Sequence, residues 1–249
     1  MEFERMKELI LRFFPQSPAK VIDIGGAAGE YAFWFASLGH SVHLVDLVAE
    51  HIEQARSRAL SDPSRPAPDR MWVADALALD IPDEQYDAVF LGGPLYHLTE
   101  REDRVQALCE ARRILKPGGV LVAYGISRYA SLMAGLLDGR IWREDFMEML
   151  RLEIPTGQHV RCESNDKKGS LSSAFFHLPE ELRDETEAAG FKILDVLGVL
   201  GPAWMAQDYE AGWQDLQRRQ TLLEIARLTE QQPELGPRVL VAAVKPGHP

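Results

Sequence analysis

Three glycines and one acid are the residues here most suited to chemistry. Gly25, Gly26 and Gly29 follow directly on an apolar run at residues 21–24, and Asp46 closes a second apolar run that begins at Ser41. The first run is short and β-branched, which predicts a buried parallel strand rather than a helix. Glycines at its end allow positive φ and direct approach of a ligand to the backbone, while a helix from about Glu30 offers unpaired N–H groups in its first turn. In a doubly wound sheet ligands lie outside the carboxyl ends of the strands, where an acid ending the second strand accepts from both ribose hydroxyls. The pattern serves NAD, FAD or S-adenosylmethionine (AdoMet) equally.

More chemistry-bearing residues lie past the ends of later strands. Residues 71–74 read as a third strand, with Asp75 and Ala76 just beyond it; the carboxylate is placed either to accept from an exocyclic amine or to cap a loop. Residues 86–91 read as the fourth strand, and Gly92-Gly93-Pro94-Leu95-Tyr96-His97-Leu98 as the loop at its carboxyl end. His97 is a candidate general base because an imidazole titrates near neutral pH, with Tyr96 beside it as a second candidate catalytic residue. The competing reading has His97 merely packing before Thr99, which with Glu102 forms the capping-box pattern of a new helix. Arg128, Tyr129, Trp142, His159, Arg161 and His177 are candidates to line a substrate pocket, an arginine there suiting a carboxylate or phosphate. Each also has a structural reading: Trp142 as packing core, Arg161 as a solvated charge, His177 as a partner of the following helix.

The elements that must position these residues follow from periodicity. Phe3, Met6, Leu9, Ile10 and Phe13 have helical spacing, so residues 1–18 predict an N-terminal helix that packs either on the core or over the site, ended by Pro15 and Pro18. Helices are expected over residues 30–38, 48–60 and 99–115, then a strand at 120–125, giving alternating strands and helices and a mostly parallel sheet. Further strands are expected at 191–199 and 238–244, with a helix from Pro179 stopped by Gly190 and two helical stretches between Pro202 and Gln232. Residues 127–177 interrupt this order with two short helices and a polar stretch, 157–173, expected to be a helical cap with a flexible lid.

The 249 residues suffice for one large α/β domain spanning 1–249. A formal net charge of -11 and a pI near 5.1 argue against a nucleic-acid backbone as the main partner. Cys109 and Cys162 provide neither a disulfide framework nor a metal cluster, and no metal is expected. The charged N-terminus and the absence of a long apolar run predict a soluble cytoplasmic protein without a membrane partner. Composition leaves the oligomeric state open.

Leu115-Lys116-Pro117-Gly118-Gly119, after a helix and before an apolar strand, resembles the LKPGG turn of class I AdoMet-dependent methyltransferases. Asp23-Ile24-Gly25-Gly26-Ala27-Ala28-Gly29, Asp46, Asp75 and Tyr86-Asp87 stand in that family's order, so the resemblance covers roughly residues 20–126. One departure is Ala27, where the family usually has the middle glycine of GxGxG. The resemblance implies a Rossmann-like seven-stranded, mostly parallel sheet with helices on both faces and a reversed last strand. It also implies AdoMet as cofactor, with Gly25, Gly26, Gly29 and Asp23 at the methionine part, Asp46 at the ribose and Leu47 beside the adenine. Asp75 and Ala76 would face the adenine amine and ring, and Gly92 or Gly93 would offer a carbonyl to the methionine amine. The expected function is methyl transfer to a small-molecule acceptor. An AdoMet-binding regulator without catalysis and an NAD-dependent oxidoreductase are the competing classes.

Overall fold

Val21, Ile22, Ile24, Val42, Leu44, Val45, Ala88, Val89, Phe90 and Leu91 are buried whichever way they point, as in a sheet covered on both faces. The computed structural model describes residues 1–160 and 173–247. Helix α1 (Glu2–Phe13) precedes β1 (Lys20–Ile24), α2 (Glu30–Ser37), β2 (Ser41–Asp46), α3 (Ala49–Ser61), β3 (Arg70–Val73) and β4 (Tyr86–Leu91). The short α4 (Pro94–His97), α5 (Arg101–Ile114) and β5 (Leu115–Ser127) follow. Next come α6 (Ala130–Asp138), α7 (Glu144–Thr156), β6 (Gln158–Val160) and β7 (Ser173–His177). The chain closes with α8 (Pro179–Ala188), β8 (Lys192–Gly198), α9 (Tyr209–Gln214), α10 (Leu216–Leu228) and β9 (Arg238–Val244).

Pairing orders the main sheet β3-β2-β1-β4-β5-β9-β8, with β1 to β5 parallel and β9 antiparallel to both β5 and β8. This is the seven-stranded Rossmann-like sheet with a reversed last strand. Met6, Leu9 and Ile10 of α1, Phe33 and Phe35 of α2 and Ile52 and Ala55 of α3 cover one face. Leu108 and Ala111 of α5 and Leu182 of α8 cover the other.

The insertion holds the two expected helices and also two strands that no sequence pattern announced. β6 and β7 pair antiparallel, and β7 joins β5 in parallel through Ile126↔Phe176 and Ser127↔His177. β9 already occupies the other edge of β5 at Ile126, so β7 extends the sheet on the side where β4 stops at Leu91. Arg161 and most of the polar stretch expected as a lid lie outside the described residues.

Two local expectations are corrected. The Lys116–Gly119 turn does not precede β5 but bulges out within it: Tyr86 pairs with Leu115 and Ala88 with Val120. Backbone bonds from Gly118 N to Lys245 O and from Lys245 N to Gly119 O, both 2.9 Å, hold the bulge on the end of β9. Thr99 does not cap a helix; α5 starts at Arg101 with Glu100 at its N-cap and no side-chain cap bond. Buried Arg104 instead draws on the carbonyls of Leu98 and Thr99, at 3.0 and 2.8 Å, and its Nε lies 3.1 and 3.0 Å from the two Glu185 carboxylate oxygens.

α1 is fixed by charge as well as by apolar contact. Fully buried Arg5 donates to Glu8 at 2.9 Å and also to Glu230, which accepts from Arg12 at 2.7 Å, while Arg227 reaches Glu8 at 2.5 Å. Partial burial alone would raise both carboxyls, but the arginine hydrogen bonds and charges outweigh it and hold Glu8 and Glu230 below the ordinary value of 4.5. Their contribution is therefore complete above that value and declines as pH falls through the lower folded values. Glu230→Gln leaves the Arg5 charge under-compensated and is expected to cost about 3 kcal/mol. In urea denaturation the wild type should lose stability on acidification more steeply than the variant; equal stability and equal acid response would sink the clamp.

Candidate active site

The parallel register of β1, β2 and β4 brings their carboxyl ends side by side, and a crevice of about 370 Å³ opens there. Its walls include Gly25, Ala27, Asp46, Leu47, Val48, His51, Ala74, Asp75, Ala76, Gly93, Pro94, Tyr96 and His97. Two turns meet at its floor. A Cβ on Gly93 would stand 2.5 Å from the Gly25 carbonyl oxygen, and one on Gly25 would stand 2.4 Å from the Pro94 ring. Only glycine permits this approach, and Gly25 also has φ +67°.

Asp46 organises the acidic wall. One carboxylate oxygen accepts from Ala27 N at 2.8 Å; the other accepts from Val48 N at 2.9 Å and meets His51 Nδ1 at 3.0 Å. A carboxylate has about four acceptor sites, so with three taken one remains, on the oxygen that Ala27 N meets, for a ligand hydroxyl. Asp75 accepts from Leu77 N through Oδ1 at 2.9 Å and is exposed, leaving Oδ2 toward the opening. Leu47, 66% exposed, and Val48, 42% exposed, present apolar surface at the mouth of a site that would accept a flat ring.

Of the residues singled out by sequence, the crevice collects Gly25, Asp46, Leu47, Asp75, Ala76, Gly93, Tyr96 and His97. Asp23, Gly26, Gly29 and Gly92 stand behind its wall. Asp23 is fully buried and neither oxygen has a partner in hydrogen-bond geometry among the described residues. Burial pushes its carboxyl up to about 7; the nearby Ala32 N–H offsets only part of this, and Asp46 adds to the rise. Gly26 makes room for that carboxylate, Gly29 sits at φ +84° at the head of α2, and Gly92 fits between Phe90 and Tyr124.

None of Arg128, Tyr129, Trp142 and His177 lines the crevice. Arg128 is buried and occupied: it donates to the Phe176 and Ile154 carbonyls at 2.7 and 3.0 Å and to Glu181 at 2.5 Å. His177 is sealed against Glu185, with 3.2 Å between Nε2 and Oε2. Trp142 is 86% exposed on the insertion, and Tyr129 borders a separate depression beside Pro179 and Arg183. His159 pairs with buried Glu153 at 2.5 Å and stacks on Phe176. Their residue types suited a substrate pocket, but Arg128, His159 and His177 are engaged by contacts within the insertion and with α8, while Tyr129 and Trp142 lie outside the crevice lining.

Sequence reasoning missed His51 and the tyrosines behind Tyr96. His51 lies in the first turn of α3, a position that the acid ending β2 commands, which was the available signal. Tyr124, on β5, has its ring 6.2 Å from Tyr96, and Tyr31 stacks obliquely on Phe90 at 4.7 Å. Burial lowers the His97 pKa below the ordinary imidazole value; Asp46 raises it in part and His51 pushes it down again. His97 is therefore neutral at pH 7 and able to accept a proton. Among the described residues no helix is long and apolar enough to cross a membrane.

Comparison with known proteins agrees with this geometry. Residues 22–123 match a family model described as a methyltransferase domain. The chain is similar to the ubiquinone/menaquinone biosynthesis C-methyltransferase UbiE of Bordetella avium (strain 197N), 37% identical over 122 residues that cover 48% of this chain and 45% of the relative. It is also similar to a probable tRNA methyltransferase 9B of Bos taurus, 32% identical over 112 residues, 44% of this chain and 22% of the relative. The matched stretch spans less than half the length of either relative. A SAM-dependent methyltransferase from Methanosarcina mazei shares the fold, with TM-score 0.68 and 16% identity over 96% of this chain and 98% of that chain.

Neighbouring loop residues should respond oppositely to substitution. A Cβ at Gly26 would meet Asp23 Oδ2 at 2.4 Å and Leu44 Cδ1 at 2.5 Å, both buried, so Gly26→Ala is expected to cost about 2 kcal/mol by overpacking. Ala27 holds φ 48°, a left-handed strain of about 1 kcal/mol that a glycine would relieve while adding unfolded-state entropy worth about 0.7 kcal/mol. Ala27→Gly should therefore leave the denaturation midpoint nearly unchanged. A tolerated Gly26→Ala, or a strongly destabilised Ala27→Gly, would refute this account of the turn.

Proposed function

We propose that this chain, whose residues 22–123 are a class I AdoMet-dependent methyltransferase domain, transfers a methyl group from AdoMet to a small-molecule acceptor. The observation that carries the reading is the crevice itself. Two glycine turns, an acid at the end of β2, a second acid past β3 and apolar Leu47 and Val48 converge in a space of about 370 Å³.

The residues fit the cofactor. Gly25 and Gly93 leave backbone exposed where the methionine part would lie, Asp46 has an acceptor site left for a ribose hydroxyl, and Leu47 with Ala76 bounds an adenine slot beside Asp75. AdoMet supplies an activated methyl on a sulfonium, so the protein's task is to align an acceptor atom and exclude competitors. Tyr96 and His97 stand at the acceptor side of the crevice. His97, neutral at pH 7, takes the proton when the acceptor must lose one; Tyr96, largely buried and raised in pKa by that burial, stays protonated and positions.

Three facts favour a small acceptor. The chain carries net charge -11, which repels a phosphate backbone. The acceptor side is walled by tyrosines rather than by a basic stripe. The UbiE relative is named for quinone biosynthesis, whereas the tRNA methyltransferase match covers only 22% of that protein. The insertion over residues 127–177 is read as a cap on the acceptor side, since β7 packs against α4. Cytoplasmic location accords with the two cysteines of the sequence.

AdoMet and its demethylated product should each raise the melting temperature, and NAD should not; a response to NAD alone would favour an oxidoreductase. AdoMet binding without transfer to any acceptor in a small-molecule screen would favour a regulator. Once an acceptor is found, His97→Gln should lower kcat at least about tenfold if deprotonation is needed. The ascending limb of the wild-type pH profile should then lie below the ordinary imidazole pKa of 6.5, because burial lowers the His97 value. Unchanged turnover in the variant would remove His97 from the chemistry.

A further inference from the structure

The reversal of β9 carries its first residue, Arg238, to the carboxyl edge of the parallel strands, the edge at which ligands bind in such sheets. Arg238 pairs with Ile126, so its side chain leaves the sheet on the same face as Tyr124, two residues earlier on β5. Glu2, at the start of α1, accepts from Arg238 Nε at 3.2 Å. Neither Nη of Arg238 has a partner among the described residues, and neither is sealed from solvent, although the side chain is only 27% exposed.

The surroundings are aromatic, and although Arg238 does not itself line the crevice, Tyr96 beside it does. The Arg238 charge bears on Tyr96 and Tyr124, drawing both phenols down against the burial that raises them. Tyr96 lines the crevice beside Gly25 and Gly93, and Phe3 packs on Tyr31 at 5.1 Å across the same face of the sheet. A guanidinium held by one single-point contact keeps two donors open beside Glu2. A planar anion can make two parallel bonds to those nitrogens. Of the two arginines that sequence alone suggested for this task, Arg161 lies outside the described residues and Arg128 has its nitrogens engaged by the Phe176 and Ile154 carbonyls and Glu181.

We propose that Arg238 is the anion anchor of the acceptor site, its free fork taking the carboxylate or phosphate of an aromatic acceptor whose ring lies along Tyr96 and Tyr124. Glu2 holds the guanidinium through Nε and leaves both Nη atoms to the acceptor. The proposal rests on the methyltransferase reading and adds the chemical class of the acceptor. Against an overall charge of -11, a preference for an anionic ligand over its neutral counterpart requires a local cation.

The test is a calorimetric titration of the full chain with benzoate, phenyl phosphate and neutral benzamide, each with and without S-adenosylhomocysteine. The wild type should bind benzoate or phenyl phosphate at least about tenfold more tightly than benzamide, the worth of a charge-assisted hydrogen bond. The tighter anion tells whether the fork takes a carboxylate or a phosphate. Arg238→Gln should abolish the preference while leaving S-adenosylhomocysteine affinity unchanged. Glu2→Gln, which removes the negative charge beside the fork, should strengthen anion binding and does not depend on the first variant folding. No preference in the wild type, its survival in Arg238→Gln, or weaker anion binding in Glu2→Gln would each overturn the anchor. Failure of S-adenosylhomocysteine to bind would instead count against the methyltransferase reading, and the anion titrations without it would still decide the anchor.

Discussion

The close approach of two backbone turns underlies the site. The Gly93 Cα lies so near the Gly25 carbonyl oxygen that a Cβ would stand 2.5 Å from it, and the Pro94 ring fills the position a Gly25 Cβ would take. That contact exists because β1 and β4 are adjacent and parallel, so their carboxyl ends and the loops leaving them emerge on one edge. From there the rest follows. β2, on the other side of β1, delivers Asp46 to the same edge, and Asp46 secures the glycine turn through Ala27 N. The crevice is a consequence of strand order, with side chains deciding only what it holds.

Charge in the interior is arranged to support that edge. Asp23 sits beneath the glycine turn with no partner in hydrogen-bond geometry among the described residues, and burial with the neighbouring Asp46 makes its ionised form costly. With its carboxyl pushed up to about 7, Asp23 is only partly ionised at neutral pH, which lessens the repulsion between two carboxylates just under the ligand site. On the other face of the sheet, Arg104, Glu185 and His177 form a buried cluster, with the Arg104 guanidinium 3.5 Å from the Phe175 ring centroid. Through the Leu98 and Thr99 carbonyls this cluster holds the chain that follows Tyr96 and His97, and through His177 it holds β7. The acceptor side of the crevice and the insertion are thus joined by one buried polar network, in which His177 Nδ1 alone has no partner among the described residues.

The insertion shows how far local pattern reaches. Its two helices were legible because Leu132, Met133, Leu136 and Leu137, and then Phe146, Met147 and Leu150, recur at helical spacing. Strand β7 was not legible: five residues, Ser173–His177, carry too little period to separate strand from loop, and their partner Ile126 lies far away in sequence. Thr99 misled for a related reason. Its capping-box spacing is genuine, but a buried arginine one turn later competes for the same carbonyls and moves the helix start to Arg101.

By itself the sequence determined the doubly wound order of elements, the glycine turn and the acids past β2 and β3, because each depends on contacts between near neighbours: hydrophobic period, glycine at strand ends, an acid at the last strand position. Only the tertiary structure decided which polar residues are free to act. Arg128 and Arg238 are the same residue type, and nothing local separates them. The first is enclosed by carbonyls of β7 and α7 and by Glu181, while the second is carried by an antiparallel strand to the ligand edge with two nitrogens unengaged. Whether a guanidinium is structure or site depends on what the fold places around it, and that is set by residues distant in the chain.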